Sequence, residues 1–130
     1  MDKGREALRH SIGTEEAYSL GVITYEHLTW VDHTVRLIDM SKNGVGVESE
    51  QRMDPGFVWF NDRVRGHKGG ALIWCRKFDE KYRAGIRFVP LTSDEEHLVQ
   101  EGIVRSGHQP YRNPLEIIAP LIEAMTRSKD

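Results

Sequence analysis

The feature that most constrains this chain is a change of period near Pro90. From Leu20 to Val89, short runs of strand-forming residues alternate with turn chemistry; beyond Pro90, apolar residues recur at helical spacing. Val22, Ile23, Tyr25, Leu28, Thr29 and Trp30 make a first extended run, Val35-Arg36-Leu37-Ile38 a second, and Val45-Gly46-Val47-Glu48-Ser49 a third. The second ends at Asp39-Met40-Ser41-Lys42-Asn43-Gly44, a cluster of turn residues, and Met53-Asp54-Pro55-Gly56 is a further turn. Phe57 to Asn61 and Arg63 to Gly66 read as short strands, Gly69-Gly70 as a break, and Ala71-Leu72-Ile73-Trp74-Cys75 as a strand. After a polar turn from Phe78 to Lys81, Tyr82 to Val89 returns as a strand. Period two puts Ile86 and Phe88 on one face of it, with Arg83, Gly85 and Arg87 on the other.

In the last third, Ser93 is a candidate N-cap, followed by Asp94, Glu95 and Glu96 where the helix dipole favours acids. Leu98, Val99 and Ile103 give this helix an apolar face. Gly107 to Pro110 breaks it, and Asn113-Pro114-Leu115-Glu116 starts a second helix carrying Leu115, Ile118, Leu121, Ile122 and Met125. Pro120 is predicted to kink that helix. Strands first and helices last imply a mainly β fold, a small antiparallel barrel or sandwich with C-terminal α-helices.

Composition narrows the function. The 130 residues fit one domain, and 18 Lys and Arg against 20 Asp and Glu leave a formal charge of −2. Such a chain has no bulk attraction for nucleic acid or anionic membrane, so an anionic ligand must be held by a local basic cluster. A stripe of aromatic and basic residues is not evident, which also counts against single-stranded nucleic acid. Cys75 is the sole cysteine and is expected to be a buried, inert thiol in a reducing compartment. Met1-Asp2-Lys3-Gly4-Arg5 lacks the apolar core of a leader, and no apolar run reaches membrane-spanning length, so a cytoplasmic location without membrane insertion is expected. The six histidines lack paired ligand spacing, so no metal site is expected; the sequence contains no phosphate-loop or nucleophile-elbow motif.

Two local patterns carry chemistry. Arg5-Glu6-Ala7-Leu8-Arg9 places two guanidiniums four residues apart on one side of the chain, a fork suited to phosphate and to the N7/O6 edge of guanine. Asp39-x-Ser41-x-x-Gly44 sits at a tight connection between strands. Its Asp can accept from the N1–H and N2–H2 of guanine, its Ser can donate, and its Gly can take the positive φ such a turn uses; an Asx/Ser turn capping its own backbone fits equally.

Together these patterns resemble the PilZ family, from about Arg5 to Val89, with Ile73-Trp74-Cys75 and Ala84-Gly85-Ile86-Arg87-Phe88 similar to that family's last two strands. The resemblance implies a six-stranded antiparallel β-barrel that binds cyclic di-GMP on its outer surface, a receptor rather than an enzyme, with no cofactor. By it, Arg5 and Arg9 would clamp guanine and phosphate from the N-terminal arm. Asp39 and Ser41 would contact a guanine, Gly44 would shape the turn, and Trp74 would lie against a base; packing under a helix is the other reading of Trp74. The implied organisation is an arm over residues 1–19, a barrel over 20–91 and a helical segment over 92–130, acting as monomer or weak dimer on a protein effector. His10 to Tyr18 lengthen the connection between arm and first strand relative to the family, at a small cost in closure entropy. The alternative is a degenerate adaptor of the same fold that binds a protein partner without nucleotide.

Overall fold

The computed structural model describes residues 17–106 and 115–128. Six antiparallel strands close into a barrel: β1 (Tyr18–Thr24), β2 (Trp30–Met40), β3 (Gly44–Ser49), β4 (Gly56–Val64), β5 (His67–Phe78) and β6 (Lys81–Phe88), in the order β1-β2-β3-β6-β5-β4. Two helices follow, α1 (Ser93–Ser106) and α2 (Leu115–Ser128). Neither is long and apolar enough to cross a membrane.

Alternation explains the barrel interior. Leu20 and Val22 of β1, Val35 and Leu37 of β2, Val45 and Val47 of β3, Val58 and Phe60 of β4, Leu72 of β5, and Ala84, Ile86 and Phe88 of β6 form one buried cluster. The faces assigned to β6 are those observed. Several boundaries differ from the sequence reading. Trp30 opens β2, because the chain turns at Tyr25–His27 and Leu28 takes a φ of 52°. Residues 57–64 are one strand with an irregular register instead of two short ones. Gly69-Gly70 is no break: both glycines lie inside β5, paired with Trp59 and Val58. The hairpin turns instead at Arg65-Gly66, φ 50° and 83°.

The outward face of β1, β2 and β4 is a second apolar surface, sealed by the helices. Ile23, Trp30, Phe57 and Trp59 pack against Val99 and Ile103 of α1 and Leu121 of α2. Leu98, expected on the apolar face of α1, is exposed. The cap of α1 is Thr92, not Ser93: Glu95 N–H donates to Thr92 Oγ1 at 3.1 Å, and Thr92 N–H donates to Glu95 Oε1 at 2.8 Å. This capping box is tied to the far helix, since Arg127 of α2 donates twice to the Glu95 carboxylate at 2.8 and 2.9 Å. Cys75 is half-buried and its Sγ accepts from Met53 N–H at 3.5 Å.

Candidate functional site

The opposite wall, formed by the outer faces of β2, β3, β6 and β5, carries an open cavity of about 350 Å3. Asp39, Ser41, Gly44 and Trp74 all line it, together with Asn43, Gly46, Ile73, Gly85 and Arg87. Residues 35 positions apart in sequence thus line one cavity. Arg5 and Arg9 lie outside the described residues.

Two β-bulges create this wall. In β2, Val35 and Leu37 point into the barrel, so strict alternation would send Asp39 inward too. A register shift between Leu37 and Asp39 reverses the phase: Asp39 faces solvent and Met40 packs on the core. The same device recurs in β5. Leu72 points inward, the register shifts before Trp74, the indole turns outward and Cys75 takes the core side. Trp74 therefore lies on an open wall, 40% exposed, and packs under neither described helix.

Pairing then sets one row across four strands. Asp39 is opposite Gly46, Gly46 opposite Gly85, and Gly85 opposite Trp74. Three inter-strand steps make this row about 14 Å wide. Its two ends lean over the glycines. A Cβ on Gly46 would stand 2.8 Å from Asp39 Oδ1, and one on Gly85 would stand 2.3 Å from Trp74 Nε1. Side chains at either position would displace the carboxylate or the indole, so the glycines keep a flat floor between acceptor and ring.

Gly44 serves differently from expectation. Its φ is not in the left-handed region; among the described glycines only Gly66 is. Gly44 is needed because a Cβ there would meet Ile86 O at 2.4 Å. The hairpin closes through Ser41 N–H to Gly44 O at 2.8 Å, and Asn43 N–H donates to Ser41 Oγ at 3.2 Å. Ser41 thus performs the backbone-capping role that its sequence context also allowed, with the hydroxyl still exposed at the rim.

Arg87 is the site residue that sequence reading left out. It is opposite Gly44 on the outward face, lines the cavity, and makes no ion pair with any described residue. It sits close enough to Tyr25 to oppose the rise in that phenol's pKa caused by burial. Period two had already placed it beside Gly85; what was missing was which wall stays uncovered. The structure also corrects the statement that no aromatic and basic stripe exists: Trp74, Arg76 and Phe78 alternate on one outward strand face, all exposed. Among the described residues no cluster of three His, Cys, Asp or Glu side chains could hold a metal ion. Comparison with protein-family models, curated proteins and solved structures returns no match to this chain.

The site can therefore offer a carboxylate acceptor, a flat backbone floor, an indole and a guanidinium to one ligand. That set suits a flat, hydrogen-bond-donating base attached to an anionic group.

Proposed function

We propose that this protein is a receptor for cyclic di-GMP of the PilZ type, which binds the dinucleotide on the outer wall of its barrel and relays it by ordering the N-terminal arm around it. The observation that carries the reading is the convergence of Asp39, Ser41, Gly44 and Trp74 on one open cavity with a barrel-borne arginine, Arg87, beside them. Asp39 accepts from the guanine N1–H and N2–H2, Trp74 lies against a base, and Arg87 takes a phosphate or the O6/N7 edge.

The direction of the chain supports the part played by Arg5 and Arg9. Tyr18, the first residue of β1, pairs with Val35, and β1 runs antiparallel to β2. Going back from Tyr18 towards the N-terminus is going forward along β2, towards Asp39, which lies about 13 Å beyond Val35. The nine residues from Tyr18 back to Arg9 can span up to about 30 Å. A connection of that length is long enough to bring Arg9 to the acidic turn. Ordering such an arm on a ligand presents a new surface to a protein effector, an order–disorder switch.

Titration calorimetry with cyclic di-GMP tests this. Four or five charge-assisted and stacking contacts, less the ordering of the arm, correspond to an affinity on the order of micromolar. Arg9→Ala and Asp39→Ala are each expected to weaken binding at least about tenfold, and affinity falls as salt rises. Unchanged affinity in both variants removes the assigned site, and no binding by the unmodified protein leaves the adaptor role as the better reading.

A further inference from the structure

Beside the cavity, hairpin β5–β6 breaks a rule of sheet pairing. Arg76 and Arg83 are direct cross-strand partners, and like charges placed opposite one another work against the ladder. Their neighbours compensate only in part. Arg83 is opposite Glu48 on its other side, and Glu48 is opposite Arg36. The Glu48 carboxylate bonds Arg36 and stands 3.6 Å from Arg83 Nε. One carboxylate serves two guanidiniums, in a row that holds three arginines. Arg83 Nε is buried without a hydrogen-bond partner, and Arg76 makes no ion pair with any described residue. Among the described residues the other acids near the hairpin do not fill the gap: Glu50 pairs with Lys81 at 3.5 Å, and Asp79 and Glu80 form the exposed tip.

Both guanidiniums lie over aromatic rings. Arg76 lies 4.8 Å from the Trp74 ring centroid, and Arg83 lies 4.0 Å from that of Phe78. Each ring contact holds its guanidinium on the outer face, where the terminal N–H groups can meet an acceptor; the buried Arg83 Nε stays turned towards Glu48. A local conflict that is preorganised in this way points to a missing anion.

We propose that Arg76 and Arg83 form a phosphate-binding site on the outer face of this hairpin, adjoining the Trp74 cavity. A tetrahedral phosphate seated between them accepts from both forks and turns their repulsion into a shared attraction. The position also has a geometric consequence. Arg83 and Arg87 stand two residues to either side of Gly85 along β6, about 6.6 Å each way. A ligand with a base against Trp74 and two phosphodiesters would meet Arg87 with one and the Arg76–Arg83 pair with the other. That last assignment rests on the dinucleotide reading; the anion site itself does not.

The arginine Nε–Hε resonances of the 15N-labelled protein, titrated with inorganic pyrophosphate at low salt, provide the test. The Arg76 and Arg83 signals are expected to move saturably, and Arg76→Gln to abolish the response of Arg83, with the amide spectrum otherwise unchanged. Static signals at both positions overturn the site. Calorimetry with cyclic di-GMP separates the source of the phosphate. The double variant Arg76→Gln/Arg83→Gln is expected to weaken it about tenfold, through loss of charge-assisted bonds. Equal affinity in variant and unmodified protein, with the pyrophosphate response intact, keeps the anion site and overturns its assignment to the dinucleotide. Failure of the unmodified protein to bind the dinucleotide counts against the receptor reading, and the pyrophosphate response then decides the anion site by itself.

Discussion

Trp30 and Trp74 are packed by the same local device and put to different uses. Each indole is laid over a glycine of an adjoining strand: a Cβ on Gly21 would stand 2.2 Å from Trp30 Cζ2, and one on Gly85 would stand 2.3 Å from Trp74 Nε1. Yet Trp30 is 8% exposed and Trp74 is 40% exposed. The difference lies in what comes next in the chain. On one wall Val99, Ile103 and Leu121 arrive and seal the ring into a second core. On the other, no described element covers the ring, and arginines and a carboxylate flank it. A barrel this small has one interior but two outer walls, and the described helices seal one and leave the other open.

The largest effect expected from this contrast comes from exchanging the two rings for alanine. Trp30→Ala removes a buried indole and its Nε1 donation to Asp32 Oδ1 at 2.7 Å. It is expected to cost about 3–5 kcal/mol in urea unfolding. Trp74→Ala is expected to cost under about 1 kcal/mol while removing most of the affinity for cyclic di-GMP. If the two variants lose similar stability, the open wall is structural and the division of labour fails.

The sealed wall also depends on Glu95, which closes the capping box of α1 and receives Arg127 from α2. The hydrogen bonds from Arg127 hold its carboxyl at about 2 against an ordinary 4.5, with Thr92 contributing and burial opposing. A carboxyl depressed in the folded state stabilises fully above its unfolded value and loses that contribution as it becomes protonated. Stability from Glu95 is therefore complete above about pH 4.5 and falls away as pH drops towards 2. Glu95→Gln keeps the cap and removes the charge. It is expected to cost about 1–2 kcal/mol near neutrality and to flatten the acid limb of a stability–pH curve recorded by circular dichroism. An unchanged acid limb would mean that the helices are held by apolar contact alone.

These contrasts also show which parts were legible beforehand. The Asp39–Gly44 turn was readable because turn chemistry is local. The faces of β6 were readable because period two is unbroken there. Thr92 and Ser93 both begin an S/T-x-x-E pattern; Arg127 of the far helix engages Glu95 while Arg63 of β4 engages Glu96, and neither contact can be read locally. Asp39 and Trp74 face outward through bulges, and a bulge inverts the phase on which alternation arguments rest. No local pattern marks Ile38 or Ile73 as the extra residue. Arg87 was visible as an outward residue, but its role needed the knowledge that the helices cover β1 and β4 and not β3 and β6. The alternation of Trp74, Arg76 and Phe78 was present in the sequence and could have been found by counting every second residue.

A finer probe of the open wall is Gly85→Ala. The added methyl meets the indole, not backbone, so Trp74 swings away while the strand persists. Affinity for cyclic di-GMP is expected to fall about tenfold, equivalent to roughly 1.4 kcal/mol, with little change in the urea midpoint. Acrylamide quenching checks the displacement, since Trp74 is the exposed member of the three tryptophans. Binding at full strength with a displaced indole would show that the ring is not a stacking surface.

The smallest effect belongs to the ion pair at the rim of the sealed wall. Arg63 of β4 donates to both Glu96 oxygens of α1, at 2.5 and 2.9 Å, and these bonds hold the Glu96 carboxyl below its ordinary pKa. By eye it is as good a clasp as that of Glu95 with Arg127. The Arg63 side chain is half exposed, however, so water and salt compete for both charges, and ordering a long side chain offsets part of the attraction. Arg63→Ala is expected to move the thermal midpoint by less than about 3 °C, and high salt to erase even that. A shift approaching that of Trp30→Ala would mean that charge, and not the packing of Trp30 against Val99 and Leu121, decides which wall of the barrel is closed.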